Sequence, residues 1–139
     1  MKIRDVVNRV VEKYKTRNPY ELADLMGIYV VKHELGKIKG YFLEIYGVKQ
    51  IILNSSLNPH EEILVLAHEI GHVVMHKANV LFWAKNTFLS EDKLELEANK
   101  FAVELLISDS FLEENKEYTT SQISRILGYS EDLIKLRLK

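Results

Sequence analysis

The 139-residue sequence contains no cysteine. The chain therefore has no disulfide framework, no thiolate metal ligand and no thiol nucleophile, so any metal must be bound by nitrogen and oxygen atoms. A surplus of charge of one sign is also missing, since 19 Lys and Arg stand against 20 Asp and Glu. Neutralising the phosphates of a nucleic acid needs a basic surplus, and we therefore do not expect nucleic acid to be bound by overall charge.

Long apolar runs are absent as well. No uninterrupted run, 63–67 included, exceeds five residues, which is far too short to span a bilayer, and charged residues interrupt the N-terminal segment where a signal peptide needs an apolar stretch. Hydrophobic residues make up 47% of the chain and charged residues 28%, which is the balance of a globular protein. These features predict a soluble cytoplasmic protein that folds as a single domain over residues 1–139.

Apolar periodicity predicts helices at the N-terminal end, strands in the first half of the chain and further helices after residue 58. Three β-branched and aromatic segments separated by glycines predict strands, of which the second and third form a hairpin near Gly47. The predicted strands are 28–34, 39–46 and 49–54. The predicted helices are 3–14, 19–26, 59–76, 119–127 and 130–138, together with one that Ser90 caps and that reaches Leu106.

The segment HEIGH, residues 68–72, carries the strongest chemical signal. On a helix, His68 and His72 lie on one face with their Cβ atoms about 5–6 Å apart, so both imidazoles can bind one metal ion. Glu69 is rotated from His68 by about 100° and can accept a proton from a metal-bound water without being a ligand. The alternative is a helix with two ordinary histidines, but its mostly apolar surroundings would make uncoordinated histidines costly to bury.

A catalytic zinc ion needs a third protein ligand. The extended motif with a third histidine is excluded, because Met75 and Ala78 occupy the positions of its glycine and its histidine. The next predicted helix offers Glu95 and Glu97, which both flank its apolar stripe. Periodicity alone does not choose between these two carboxylates.

HEIGH, followed by ELEANKFAVELLI at 95–107, resembles the ImmA/IrrE family of zinc metallopeptidases. Members of that family carry Glu-Ala-Asn-x-Phe-Ala on the second helix, and the glutamate before alanine is the third ligand. The resemblance therefore implies that Glu97, with His68 and His72, binds the metal and that Glu95 does not. Segments 18–28 and 51–54 also resemble the family, which extends the likeness over residues 15 to about 110. The family's frequent Met-Pro ending is absent at 105–108.

The patterns and the resemblance together predict an α+β fold. A small, partly antiparallel three-stranded sheet packs on a zincin-type two-helix core, with flanking helices at both ends; the core covers about 15–110 and a helical tail covers about 118–139. The implied activity is that of a zinc-dependent endopeptidase with one Zn²⁺ ion, in which Glu69 is the general base. The resemblance also implies a partner, since family members of phages and mobile elements act against a cognate helix-turn-helix repressor.

Two other functions remain open from the sequence. The first is a metal-bearing regulatory protein that keeps His68, His72 and Glu97 for folding and binds the repressor without cutting it. A catalytic site keeps one metal position open, which favours the enzyme. The second is DNA binding by the tail, where two short helices flank Gly128. Acidic residues open the second of these helices, where a DNA-binding protein would meet phosphate.

The sequence leaves several secondary roles unassigned. His76, His60, His33 and several tyrosines are candidates for stabilising the oxyanion of the transition state, and nothing in the sequence selects one. Residues 77–89 are predicted to form a loop, and its apolar parts at 80–83 and 88–89 either cover the core or form a lip beside the substrate or a surface for a partner. The strand 50–54 is either an ordinary member of the sheet or an exposed edge to which an extended substrate adds.

Overall fold

The computed structural model describes residues 2–76 and 91–139, and in these residues the chain forms seven helices and three strands. The predicted α+β fold is confirmed. The predicted loop at 77–89 and the predicted cap at Ser90 lie outside the described residues. The elements are α1 (Ile3–Tyr14), α2 (Pro19–Leu25), β1 (Ile28–His33), β2 (Gly40–Ile45), β3 (Val48–Asn54), α3 (Pro59–Met75), α4 (Glu91–Leu106), α5 (Asp109–Glu114), α6 (Thr120–Leu127) and α7 (Glu131–Leu138).

The three strands form one mixed sheet in the order β1-β3-β2. β1 runs parallel to β3, and β2 pairs with β3 antiparallel through the predicted hairpin. Tyr46 and Gly47 both have positive φ at its turn, as a tight two-residue hairpin requires. Since β3 pairs on both sides, the segment 50–54 is an ordinary member of the sheet, and the alternative of an exposed edge there is excluded; β1 and β2 are the outer strands of this sheet.

The helix that carries HEIGH begins at a defined cap. The side chain of Asn58 accepts a hydrogen bond of 2.9 Å from the backbone N–H of Glu61, and Pro59 occupies the first turn, where its missing N–H costs nothing. The helix ends at Met75, one residue before the predicted end, and His76 is its C-terminal cap. α3 packs against α4, the sheet and α2.

Close contact between α3 and α4 sets the geometry of the molecule's centre. Gly71 on α3 faces Phe101 on α4, and a Cβ atom at position 71 would lie 3.0 Å from the Cβ of Phe101. Phe101 is fully buried, so it has no free space to move into. Glycine therefore permits an approach of the two helices that another residue would prevent.

The C-terminal tail packs as a second apolar cluster against the far end of α4. Val103 and Ile107 meet Ile123 of α6 and Ile134 of α7, and all four are buried. Arg137 of α7 is also buried; its Nε donates to the carbonyl of Ile107 at 2.7 Å and a guanidinium N–H donates to Asp109 at 2.7 Å.

These contacts occupy the guanidinium group of Arg137, a basic group that a DNA-binding tail would use to contact phosphate. The helix α5 was missed at the sequence level because it is short and buries none of its residues, so that it carries no apolar stripe.

Within the part of the chain that the structure describes, no helix combines the length and the apolar character needed to cross a bilayer.

Substitution of Gly71 by valine tests the close approach of α3 and α4. We expect a loss of about 1–3 kcal/mol in the free energy of unfolding, since Phe101 cannot yield without shifting α4. Urea denaturation measures the change. Asn8→Val is the control, because it adds a valine at an exposed helical position. Equal effects of the two substitutions would show that the helices are not in forced contact.

Candidate metal centre

HEIGH places two imidazoles side by side on the buried face of α3. The ring centroids of His68 and His72 are 4.8 Å apart, and the rings are nearly perpendicular at 84°. Their side chains are only 15% and 3% exposed. Together with Glu69 they form a cluster whose potential ligand atoms all lie within 4.8 Å of one another. The structure thus brings together three of the four predicted site residues.

A carboxylate from α4 contacts both imidazoles at once. One oxygen of Glu95 lies 2.9 Å from Nε2 of His68, and its other oxygen lies 2.9 Å from Nε2 of His72. These two contacts hold the pKa of Glu95 well below its ordinary value, with the hydrogen bond from His68 as the largest cause. Two nitrogen atoms and one carboxylate from two helices therefore meet at one point.

The other nitrogen of each imidazole faces a separate hydrogen-bond partner. Nδ1 of His68 lies 2.8 Å from the side-chain oxygen of Asn99, also on α4. Nδ1 of His72 lies 3.0 Å from Nδ1 of His76, whose Nε2 lies 3.3 Å from an oxygen of Glu97. The Nδ1 atoms are thus engaged away from the site, and both Nε2 atoms point into it.

Burial and the polar neighbours of His68 act in opposite directions on its pKa. Burial is the largest single influence and favours the neutral imidazole. The hydrogen bond to Glu95, the charges of Glu69 and Glu95, and the contact with Asn99 together outweigh it, so the pKa of His68 is raised. The pKa of His76 is lowered, first by burial and then by its neighbour His72.

Glu69 lies beside the pair of imidazoles on the same helix. It is buried, with 8% of the residue exposed, and one of its carboxylate oxygens is 3.9 Å from Nε2 of His68. The rotation of about 100° between successive helical residues puts it at the edge of the site. This is the position that a general base needs if it is not itself a ligand.

Glu97, the ligand implied by the resemblance, contacts His76 in the structure, whereas Glu95 contacts His68 and His72. Glu95 and Asn99 are four residues apart, so both lie on one flank of α4, and both reach His68. Glu97 lies on the opposite flank. Among the two carboxylates that periodicity left open, the contacts favour Glu95.

The candidates for oxyanion stabilisation are distributed over the molecule. His60 lies eight residues before His68 on α3, about 12 Å along the helix axis, and its ring faces Gly128 of the tail. Tyr20 donates its hydroxyl to Glu62, near the start of α3. His76 is the candidate that touches the site, through its contact with His72.

The donor set fits a divalent transition metal such as zinc. Imidazole nitrogen and carboxylate oxygen are ordinary zinc ligands, and three protein ligands are the number that a catalytic zinc site uses. The acceptors on both Nδ1 atoms also fit, because metal-binding histidines commonly donate their other ring N–H to a fixed partner. Such a metal would be bound by His68, His72 and one carboxylate of α4.

Comparison with known proteins relates the chain to a family of peptidases. The peptidase M78 family model, described as the IrrE N-terminal-like domain, matches residues 23–139. A protein of Bacillus phage phi105, named uncharacterized immunity region protein 2, is 40% identical over 139 residues, covering 97% of this chain and 88% of the relative. The metallopeptidase ImmA of Bacillus subtilis is 32% identical over 133 residues, covering 95% of this chain and 75% of the relative.

The pair Glu95→Gln and Glu97→Gln tests which carboxylate binds the metal. Loss of a residue that hydrogen-bonds to a metal ligand typically weakens metal binding by about 10–100-fold. We expect Glu95→Gln, which removes a ligand itself, to weaken Zn²⁺ binding by more than this. Glu97→Gln should stay within that range. Titration against a chromophoric chelator measures both affinities, and Glu113→Gln, an exposed carboxylate of α5, is the control. The reverse order of the two effects would support Glu97 as the ligand.

Proposed function

The chain belongs to the IrrE N-terminal-like family of metallopeptidases, and on this premise we propose that it is a zinc-dependent endopeptidase that cleaves a cognate helix-turn-helix repressor. The observation that carries the proposal is the meeting of Nε2 of His68, Nε2 of His72 and the carboxylate of Glu95 beside Glu69. This arrangement combines a metal-binding set with a separate carboxylate close enough to take part in proton transfer.

One Zn²⁺ ion bound by His68, His72 and Glu95 would supply Lewis acidity, lowering the pKa of a water molecule and polarising the substrate carbonyl. Glu69 would accept the proton of the attacking water. It would then return that proton to the leaving amine as the peptide bond breaks. Burial of Glu69 supports this role, since an apolar environment strengthens its interaction with a nearby proton donor.

Three observations support a repressor as the substrate. The resemblance to the ImmA/IrrE family implies such a partner, and the relative from phage phi105 is named for an immunity region. The chain's formal charge of −1 gives it no basic surplus for binding nucleic acid, which favours a protein partner. A repressor substrate would place the protein in the cytoplasm, where the repressor meets its DNA.

The tail supports the core of the enzyme in this proposal rather than reading DNA. Arg137 is bonded to Ile107 and Asp109, and Lys100 of α4 donates to the carbonyl of Leu136 at 2.8 Å. These bonds join α7 to the helix that carries Glu95. The tail thereby stabilises the end of α4 that lies beyond the site.

Glu69→Gln tests the enzymatic proposal. Where a neighbouring gene encodes a helix-turn-helix repressor, we expect cleavage of that protein to fall by about 10²–10⁴-fold, because the amide cannot accept the water's proton. Zn²⁺ content and the midpoint of thermal unfolding should be preserved, since Glu69 is not in the proposed ligand set. Gel electrophoresis with mass spectrometry of the fragments measures cleavage in purified mixtures.

The control for this experiment is Glu113→Gln, which should cleave like the wild type. The competing function is a metal-bearing protein that binds the repressor without cutting it. That function predicts that Glu69→Gln still relieves repression in a reporter assay. Relief of repression by this variant, with the repressor intact, would contradict the endopeptidase.

A further inference from the structure

Three side chains in contact with one another lead outward from the candidate metal centre. His72 contacts His76 through the two Nδ1 atoms at 3.0 Å, and His76 contacts Glu97 through Nε2 at 3.3 Å. The side chain of His76 is only 8% exposed, whereas that of Glu97 is 34% exposed. This series of contacts therefore runs from a buried imidazole, through a second buried imidazole, to a carboxylate at the surface.

We propose that His76 and Glu97 are positioning residues that fix the tautomer and the ring orientation of His72, and thereby set the affinity of the site for Zn²⁺. This inference rests on the proposed metal site formed by His68, His72 and Glu95. It gives Glu97 an indirect role, through His76, in place of direct binding to the metal.

The donor and the acceptor in each of these hydrogen bonds follow from Glu97, the outermost of the three side chains. The carboxylate of Glu97 can only accept, so Nε2 of His76 donates to it. In a neutral His76 the other nitrogen, Nδ1, then has no proton and accepts from Nδ1–H of His72. With its proton held on Nδ1, His72 can offer the lone pair of Nε2 to a metal ion between that nitrogen and the carboxylate of Glu95.

The second imidazole of the site has the same arrangement with a different partner. The side-chain oxygen of Asn99 accepts from Nδ1–H of His68, which leaves Nε2 of His68 to face the site. In both imidazoles, an acceptor binds Nδ1–H on the far side of the ring, and Nε2 is therefore directed at the site. Such outer partners orient metal-binding imidazoles and raise their basicity as ligands.

The position of His76 explains why a histidine serves as the link. It caps the C-terminus of α3, with its backbone N–H bonded to the carbonyl of His72, so that its ring returns along the helix towards His72. The two ring centroids are 5.2 Å apart. Glu97 reaches this ring from the flank of α4 opposite Glu95, so that Glu97 contacts His76 while Glu95 contacts the two imidazoles of the site.

A double-mutant cycle of Zn²⁺ affinity tests the inference. His76→Phe keeps a ring without nitrogen atoms, and Glu97→Gln removes the charge of the outer acceptor. We expect each to weaken Zn²⁺ binding by about 10–100-fold, and the double variant to be no weaker than His76→Phe alone, because Glu97 acts only through His76. His76→Gln, which can still accept from His72, should recover part of the loss.

Matched controls and a spectroscopic signal separate positioning from structural damage. His33→Phe replaces an exposed histidine and should leave the affinity unchanged. In the zinc-loaded protein labelled with ¹⁵N, the wild type should show a hydrogen-bonded Nδ1–H resonance of His72 that His76→Phe loses. Thermal unfolding of the metal-free variants checks that they fold.

Two results would overturn the inference. If Glu97→Gln weakens Zn²⁺ binding equally in the presence and absence of His76, then Glu97 binds the metal itself. If neither substitution changes the affinity or the Nδ1–H signal, the contacts of His76 with His72 and Glu97 have no effect on the site. Neither readout involves substrate, so a protein that behaves as expected here but cleaves nothing would contradict the proposed function alone.

Discussion

The close packing of α3 on α4 is the constraint on which the site depends. Because Gly71 has no side chain, Phe101 lies directly against α3, and α4 comes near enough for Glu95 to reach both His68 and His72. Neither helix holds the site alone, since α3 provides the imidazoles and the adjacent Glu69, while α4 provides the carboxylate. The site is therefore a product of tertiary packing and not of the HEIGH segment by itself.

Much of the fold follows from local patterns in the sequence. The helical stripe of α1, the proline and asparagine that open α3, and the glycine turn at 47 give the correct elements within one or two residues. The shared face of the two histidines of α3 is predictable for the same reason, because a spacing of four residues places His68 and His72 on one side of any helix. These features need no information from distant parts of the chain.

The features that could not be predicted depend on contacts between distant elements. The parallel pairing of β1 with β3 makes β3 the central strand, and the pattern of the β3 segment carries no sign of which neighbour it has. Around the axis of α4, Glu95 lies about 60° from Ala98, a residue of the apolar stripe. Glu97 lies about 100° from Ala98 on the opposite side of the stripe. Only the crossing of the two helices decides which flank faces the imidazoles. Asn99, four residues after Glu95, was the one hint of that flank in the sequence.

The central claim is that one metal ion is bound where the two helices meet. A crystal structure of the protein with Zn²⁺, with the ion located by its anomalous scattering, tests this claim most directly. The account predicts a single ion within about 2.0–2.2 Å of Nε2 of His68, Nε2 of His72 and a carboxylate oxygen of Glu95. An ion bound by Glu97 instead, or no ion at these histidines, would contradict it.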